Sequence, residues 1–445
     1  MSSPKRPVRE YLGEYYGYLS RLIDDEADGK TKLEFEIVRK DQMTQICVDV
    51  GVDMSGRSTN IYQRIFQPYY GFFYLTVTLS DSAEASPKGS ETYQPGIWYM
   101  IKLGDYGEHG CVLENPFDER FSMSLSCRID TADEEFAYLN HAFTIQGSEP
   151  PDHPEFLSTS HGLIVRTYYV GAALCVGILT DGDVLAYFDL GCIPGSSSTN
   201  EVVRQRASRA ANNRTAILDS LQDNPQKTIM ISHWHRDHIN ILFHCNRANT
   251  ILYDEFWSQS VWHVPASNSP SAYWVRSQMP NNDNFHVYRG VRHPALPTRQ
   301  QPIQIGKISP FYSARNITFT HPHHHGLYTL VRLNGDRTVL LSGDCTYAWI
   351  PRGIRNNHHF LQASHHGGNY ALHTTDSDLR ISSIPQTESA GAQVVYSANG
   401  VTHGHPKAPV KNEHNGNGWR DAVTTGDLAD GRGRGKKVVP YLDWQ

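Results

Sequence analysis

The sequence predicts an α/β protein in which several buried strands end at one polar, metal-ligating site, preceded by a separate β-rich module. Three observations predict it. The apolar run Thr228-Ile229-Met230-Ile231 stops at Ser232-His233-Trp234-His235-Arg236-Asp237-His238, an HxHxDH cluster placed where a strand should end. Later apolar runs also terminate in residues of ligand type, as expected when several strands point into one site. Between Leu33 and about Phe143 the chain alternates instead in short β-like runs separated by turn-rich breaks.

Imidazole nitrogen and carboxylate oxygen are ligands that zinc and related first-row metals accept. Crowding several imidazoles and a carboxylate into one loop is costly unless a cation holds them, and a tight loop lets residues two apart face one ion while the next two face another. A structural zinc clip would bring cysteine ligands, which this stretch lacks. Further ligand-type residues follow in order. Ile317-Thr318-Phe319-Thr320 runs into His321-Pro322-His323-His324-His325-Gly326, and Leu327 to Leu333 leads through the hairpin signal Asn334-Gly335 to a buried strand that ends in Ser342-Gly343-Asp344. Phe360 to Ser364 ends in His365-His366-Gly367-Gly368, and Val394 to Ser397 leads to Thr402-His403-Gly404-His405-Pro406.

In this order the chain resembles the metallo-β-lactamase fold hydrolases. The segments LYTLVRLNGDRTVLLSGD, LQASHHGG and VVYSANGVTHGHP look most like the metallo-hydrolase domain of ComEC, a DNA-uptake channel protein, and its soluble relatives. Leu163 to Leu179, followed by Val184 to Gly191, is similar to the family's opening hairpin, although the family's polar opening motif is replaced here by Tyr169-Val170-Gly171-Ala172-Ala173. The resemblance covers roughly residues 160 to 410 and implies an αββα sandwich, placed here at 158–430. It also implies two divalent ions, zinc first, with manganese or iron as alternatives. His233, His235 and one of the 321–325 histidines, His324 by register, would hold one ion; Asp237, His238 and His366 would hold the other, with Asp344 bridging both. Asp237 and Asp344 then position the attacking water, and His365 contacts substrate or protonates a leaving group. His405, with His403 beside it, would meet an anionic oxygen, and Asp189 would orient the ligand loop through hydrogen bonds.

The rest of the chain is read from its residues. Residues 1–30 read as an N-terminal helical segment, from the amphipathic stretch Val8 to Ile23, with no apolar signal-peptide core. Residues 31–150 read as a β-rich accessory domain of unassigned role that could receive a protein partner, with strands around Phe35–Val38, Phe72–Leu79 and Ile97–Ile101, and with Tyr69 and Tyr70 as strand core. Gln146 to Pro154 has the composition of a linker. An insert at about 246–315, rich in Trp, Tyr, Asn and Pro, is expected to overhang the metal site, with Trp257, Trp262, Tyr273, Trp274 and Arg276 as candidates for choosing substrate. Arg204, Arg206, Arg209 and Arg214 fall on a helix after Asp189, and residues 431–445 form a basic tail with Arg432, Arg434, Lys436 and Lys437. A solvated helix face and a flexible tail are the plainer accounts of both.

Composition bounds the function. At 445 residues there is room for two or three domains. A net charge of −6 confers no global preference for nucleic acid. The seven cysteines are scattered and odd in number, which argues against a disulfide framework, and Cys345 reads as a small buried residue. The chain shows no GxxxxGK[ST] loop, no CxxC pair and no window apolar enough to span a membrane, so a cytoplasmic enzyme is expected. The expectation is therefore a phosphodiesterase or nuclease using a hydroxide that bridges two metal ions. Hydrolysis of a carbonyl ester, lactone or thioester by the same site is one alternative, and a non-enzymatic sensor or scaffold is another.

Overall fold

Tyr15 and Leu19, Leu33, Phe35 and Ile37, then Phe73, Leu75 and Val77 recur at alternate positions and are buried together. Period-two burial is the mark of strands with one face inward. In the computed structural model these residues line a closed antiparallel barrel of β1 (Gly13–Asp25), β2 (Lys30–Arg39), β3 (Phe72–Thr78), β4 (Trp98–Gly104), β5 (His109–Asn115) and β6 (Asp118–Thr131), paired in the order β1-β2-β3-β5-β6-β4. The structure describes residues 8–25, 30–42, 72–79, 93–104, 107–131, 139, 143–145, 147–151, 162–193, 200–245, 253–279, 283–308, 326–368, 383–398, 405–429 and 441–445.

The helical segment expected at 1–30 is corrected: among the described residues there, β1 occupies Gly13–Asp25 and Val8–Tyr11 forms a single tight turn. Tyr15 and Leu19 face the barrel core, while Tyr16 and Tyr18 are also buried. Apolar residues on both faces hide the alternation that distinguishes a strand from a helix.

The barrel belongs to a unit made of Met1–Ile145, Ser267–Gln278 and Tyr312–Pro322. Its helix Pro270–Ser277 comes from the insert. Ser269 caps that helix by accepting from the Ala272 amide at 3.2 Å, and proline stands in the first turn, where its missing N–H costs nothing. Buried Glu36 accepts from the Ser271 amide at 2.7 Å, and the Tyr74 and Ser271 hydroxyls lie 3.0 Å apart.

The second unit comprises Gln146–Ala266, Met279–Phe311 and His323–Gln445. It holds two sheets. One contains β7 (Ile164–Tyr168), β8 (Cys175–Thr180), β9 (Asp183–Leu190), β10 (Thr228–Met230), β11 (Val261–Pro265), β12 (Phe285–Tyr288) and β19 (Tyr441–Trp444), in the order β12-β11-β10-β9-β8-β7-β19. The other contains β13 (Ile303–Lys307), β14 (Leu327–Arg332), β15 (Thr338–Leu341), β16 (Phe360–Gln362), β17 (Gln393–Tyr396) and β18 (Asp421–Thr424), in sequence order. Strands β9 to β12 run parallel, as do β15 to β18. Val176, Ile178 and Phe188 of the first sheet share a core with Leu327, Val339, Leu341 and Val395 of the second. On the opposite face of the second sheet, Val394 and Tyr396 pack with Val410 of helix Ala408–Gly416. Helix Glu201–Asp223, which carries Arg204 to Arg214, buries Ala210, Asn213, Ile217 and Leu221, and Asn213 donates to the Tyr169 carbonyl at 2.7 Å.

Two further expectations are corrected. The insert at 246–315 supplies β11, β12 and β13 to the sheets, and Trp257, Trp262 and Trp274 are buried packing residues. Residues 431–445 do not end as a basic tail, because β19 pairs antiparallel with β7. Arg166 clasps Asp443 through two hydrogen bonds of 2.7 and 2.8 Å, and Trp444 stacks on Phe360 with ring centroids 5.2 Å apart. The basic residues 432–437, like Tyr69, Tyr70 and the run Ile317–Thr320, lie outside the described residues. No disulfide occurs among the described residues, where Cys345 is buried as expected, and no helix there is long and apolar enough to cross a membrane.

Candidate metal centre

Five strands deliver polar groups from their C-terminal ends to one place, four of them side chains and one the Ser397 carbonyl, at the usual location of ligand sites in parallel sheets. β10 leads into the loop that carries His233 and His235, then into the short helix Arg236–Ile239 with Asp237 and His238. β15 leads to Asp344, β16 to His365 and His366, β17 to Ser397, and β9 to Asp189. The Leu327 amide donates to the Ser232 carbonyl at 2.8 Å, which ties β14 of the second sheet to the loop from the first. Gly191 permits the approach of the short helix: a Cβ there would lie 1.7 Å from the Asp237 carbonyl oxygen.

His233, His235 and Asp344 each place a ligand atom within 4.8 Å of the others, and so do Asp237, His238 and His366. All six residues are buried. Asp344 faces both groups: its Oδ2 lies 3.7 Å from His233 Nε2, and its Oδ1 lies 3.3 Å from His238 Nε2 and 3.8 Å from His366 Nε2. Asp237 Oδ2 stands 3.4 Å from His366 Nε2.

Hydrogen bonds on the far side of two of the rings set their orientation. His238 Nδ1 donates to Asp189 Oδ2 at 2.7 Å, and His366 Nδ1 donates to the Ser397 carbonyl at 2.8 Å. With Nδ1 so engaged, a neutral ring turns the Nε2 lone pair toward the carboxylates, which is how ligating histidines are fixed. Neither Nε2 has a hydrogen-bond partner among the described residues. Buried imidazole nitrogens of this kind, converging with carboxylates, fit a divalent ion such as zinc. Asp189 holds the loop as expected, accepting also from the Ser232 amide at 2.6 Å and from the Ser232 hydroxyl at 2.7 Å.

The electrostatics describe buried imidazoles and carboxylates that shift one another strongly. Burial opposes charge on His238, yet Asp344, Asp189 and Asp237 outweigh it and push its pKa well above the ordinary imidazole value. Burial, followed by the neighbouring His238 and His235, pushes His233 well below that value. Burial opposes ionisation of Asp344, but His238, His365, His366 and His233 together hold it well below the carboxylate range.

His365 belongs to neither triad. Its Nδ1 donates to Asp344 Oδ2 at 2.7 Å, and its ring lies 5.4 Å from that of His405. His324 and His403 lie outside the described residues. Sequence reasoning passed over Gln362, whose Oε1 accepts from the Ser342 and Gly343 amides at 3.2 and 2.8 Å and shapes the turn before Asp344. A buried amide in the apolar run of β16 was the available signal. Comparison of the chain with protein-family models, curated proteins and solved structures finds no match.

Proposed function

We propose that the protein is a metal-dependent hydrolase of phosphodiesters, built as an αββα sandwich of metallo-β-lactamase type with a barrel module alongside in the sequence. The observation that carries this reading is the pair of buried triads that Asp344 faces from both of its oxygens. Two divalent ions, zinc first, would lower the pKa of a water held between them and neutralise charge developing on a phosphoryl oxygen. His233, His235 and Asp344 would hold one and Asp237, His238 and His366 the other, with Asp344 common to both. His324 and His403 keep their proposed places as third ligand and substrate contact. His365, anchored to Asp344 through Nδ1, passes a proton from Nε2 to the leaving oxygen. His405, beside it, receives an anionic oxygen of the substrate. The resemblance of residues 327–344, 361–368 and 394–406 to ComEC-type domains supports phosphodiesters over carbonyl substrates.

The test loads purified protein with zinc or manganese and offers nucleic acid, cyclic nucleotides and an aryl phosphodiester beside esters and lactones, with Asp344→Ala as the blank. Phosphodiester cleavage that vanishes in the variant is expected. Equal behaviour of both proteins on every phosphodiester, or metal well below one ion per chain, sinks the reading. Cleavage of esters or lactones alone transfers the site to carbonyl chemistry.

A further inference from the structure

The turn that presents His365 and His366 is held in an unfavourable conformation. His365 (φ 49°), His366 (φ 53°) and Gly367 (φ 83°) follow one another in left-handed backbone. Glycine tolerates that region, but two consecutive histidines do so only where their surroundings compel it.

A buried chain of hydrogen bonds supplies part of the compulsion. The Ser364 amide donates to the Tyr347 hydroxyl at 2.8 Å, that hydroxyl lies 3.3 Å from His414 Nε2, and His414 Nδ1 lies 2.9 Å from the Val410 carbonyl one turn back in its own helix. The Val410 carbonyl only accepts, so the His414 Nδ1 that bonds it carries the proton and Nε2 carries the lone pair; the Tyr347 hydroxyl, which also meets the Ser342 side chain, can then donate to Nε2 while its oxygen accepts from Ser364. The chain needs a neutral imidazole, and burial provides it by pushing the His414 pKa down to about 4. Tyr396 closes the other end of the turn: its hydroxyl lies 3.1 Å from His414 Nδ1, and a Cβ on Gly367 would come within 2.5 Å of its ring. His414, Tyr347 and Tyr396 are fully buried, and none of them faces the two triads as a ligand.

We propose that His414 is a positioning residue for the metal centre, which through Tyr347 and Ser364 holds the left-handed turn that aims His366 at Asp237 and sets His365 against Asp344. Its functional half rests on the metal-dependent reading above, whereas its structural half stands on the hydrogen bonds alone. Removing the imidazole takes the Nε2 acceptor from Tyr347, whose hydroxyl then turns to the Ser342 side chain, and the strained turn relaxes. The ion on Asp237, His238 and His366 then loses a correctly aimed ligand, while His233, His235 and Asp344 come from other segments.

The experiment compares His414→Leu and Tyr347→Phe with His414→Gln, whose amide offers both an acceptor for Tyr347 and a donor for Val410. Two quantities are read: amide hydrogen exchange of residues 364–368 in metal-free protein, and zinc affinity and stoichiometry by calorimetry. Faster exchange confined to that turn is expected in the Leu and Phe variants, with one ion weakened roughly 10–100-fold and the other unchanged. The Gln variant restores both readouts. Unchanged exchange, equal weakening of both ions, or no rescue by Gln overturns the proposal. Should His414→Leu fail to fold, Tyr347→Phe, which removes one oxygen, carries the comparison. A wild-type chain that takes up no zinc defeats the proposed function, and hydrogen exchange then decides the inference about the turn.

Discussion

Asp189 sits at φ 59° and commits both carboxylate oxygens to the metal loop, accepting from the Ser232 amide, the Ser232 hydroxyl and His238. Asp189→Asn keeps the shape but removes the charge that orients His238. Metal affinity should fall roughly 10–100-fold with circular dichroism unchanged, and calorimetric titration checks it. A second expectation follows from the carboxylates that push the His238 pKa upward. Without a metal they hold a proton on His238; with one, the ring must be neutral. Metal binding therefore releases protons and weakens as pH falls. Apparent binding enthalpies independent of buffer ionisation heat would contradict this. The buried triads are legible in part because imidazoles and carboxylates gathered at one point leave a dense local signature, His233 to His238. His414 and Gln362 left almost none, since a single buried polar residue looks the same in sequence whether it props a site or satisfies a neighbour.

Among the elements, the strands leading to the site could be read because each joins an apolar run to a ligand at its tip. β1 and β19 could not. In β1, Tyr16 and Tyr18 on one face and Tyr15 and Leu19 on the other erase the alternation. In β19, only four residues pair, and the preceding Gly-, Arg- and Lys-rich stretch dominates the composition. Yet Trp444 is 2% exposed, stacks on Phe360 and donates from Nε1 to Gln393 at 2.6 Å. Trp444→Ala should lower stability by roughly 3–5 kcal/mol, the range for buried aromatic truncations. A denaturant midpoint equal to wild type would show that β19 contributes nothing.

The chain divides into two compact units, so two unfolding transitions are expected. If metal binds at the triads, it binds the second unit, and chelation should lower that transition alone. The shift corresponds to about 2.7 kcal/mol if the metal had been present at one hundred times its Kd. Differential scanning calorimetry with and without chelator checks this; a single transition moving as one would contradict it. The barrel has its own pH dependence. Burial pushes Glu36 up to about 8 from the ordinary 4.5, against the lowering effect of its hydrogen bonds from Ser271. Folding therefore favours the neutral carboxyl: this contribution is complete below about 4.5, is lost progressively as the unfolded chain ionises, and levels off above about 8. At about 1.4 kcal/mol per pH unit the window amounts to a few kcal/mol. Glu36→Gln should flatten the decline in urea titrations between about pH 5 and about pH 8.5.

The helix that Glu36 receives is encoded between β11 and β12, more than a hundred residues beyond Ile145, where the first segment of the barrel's unit ends. The barrel is thus not a cassette. A gene fragment cut after Ile145 would encode all six staves but omit the Ser271 amide that Glu36 accepts from, and a ribosome finishing β6 must translate through nearly half of the other unit before the barrel's outer face can be dressed. Recombination could move this module only by carrying Ser267–Gln278 with it, which binds the inheritance of the two units together however separable their cores are.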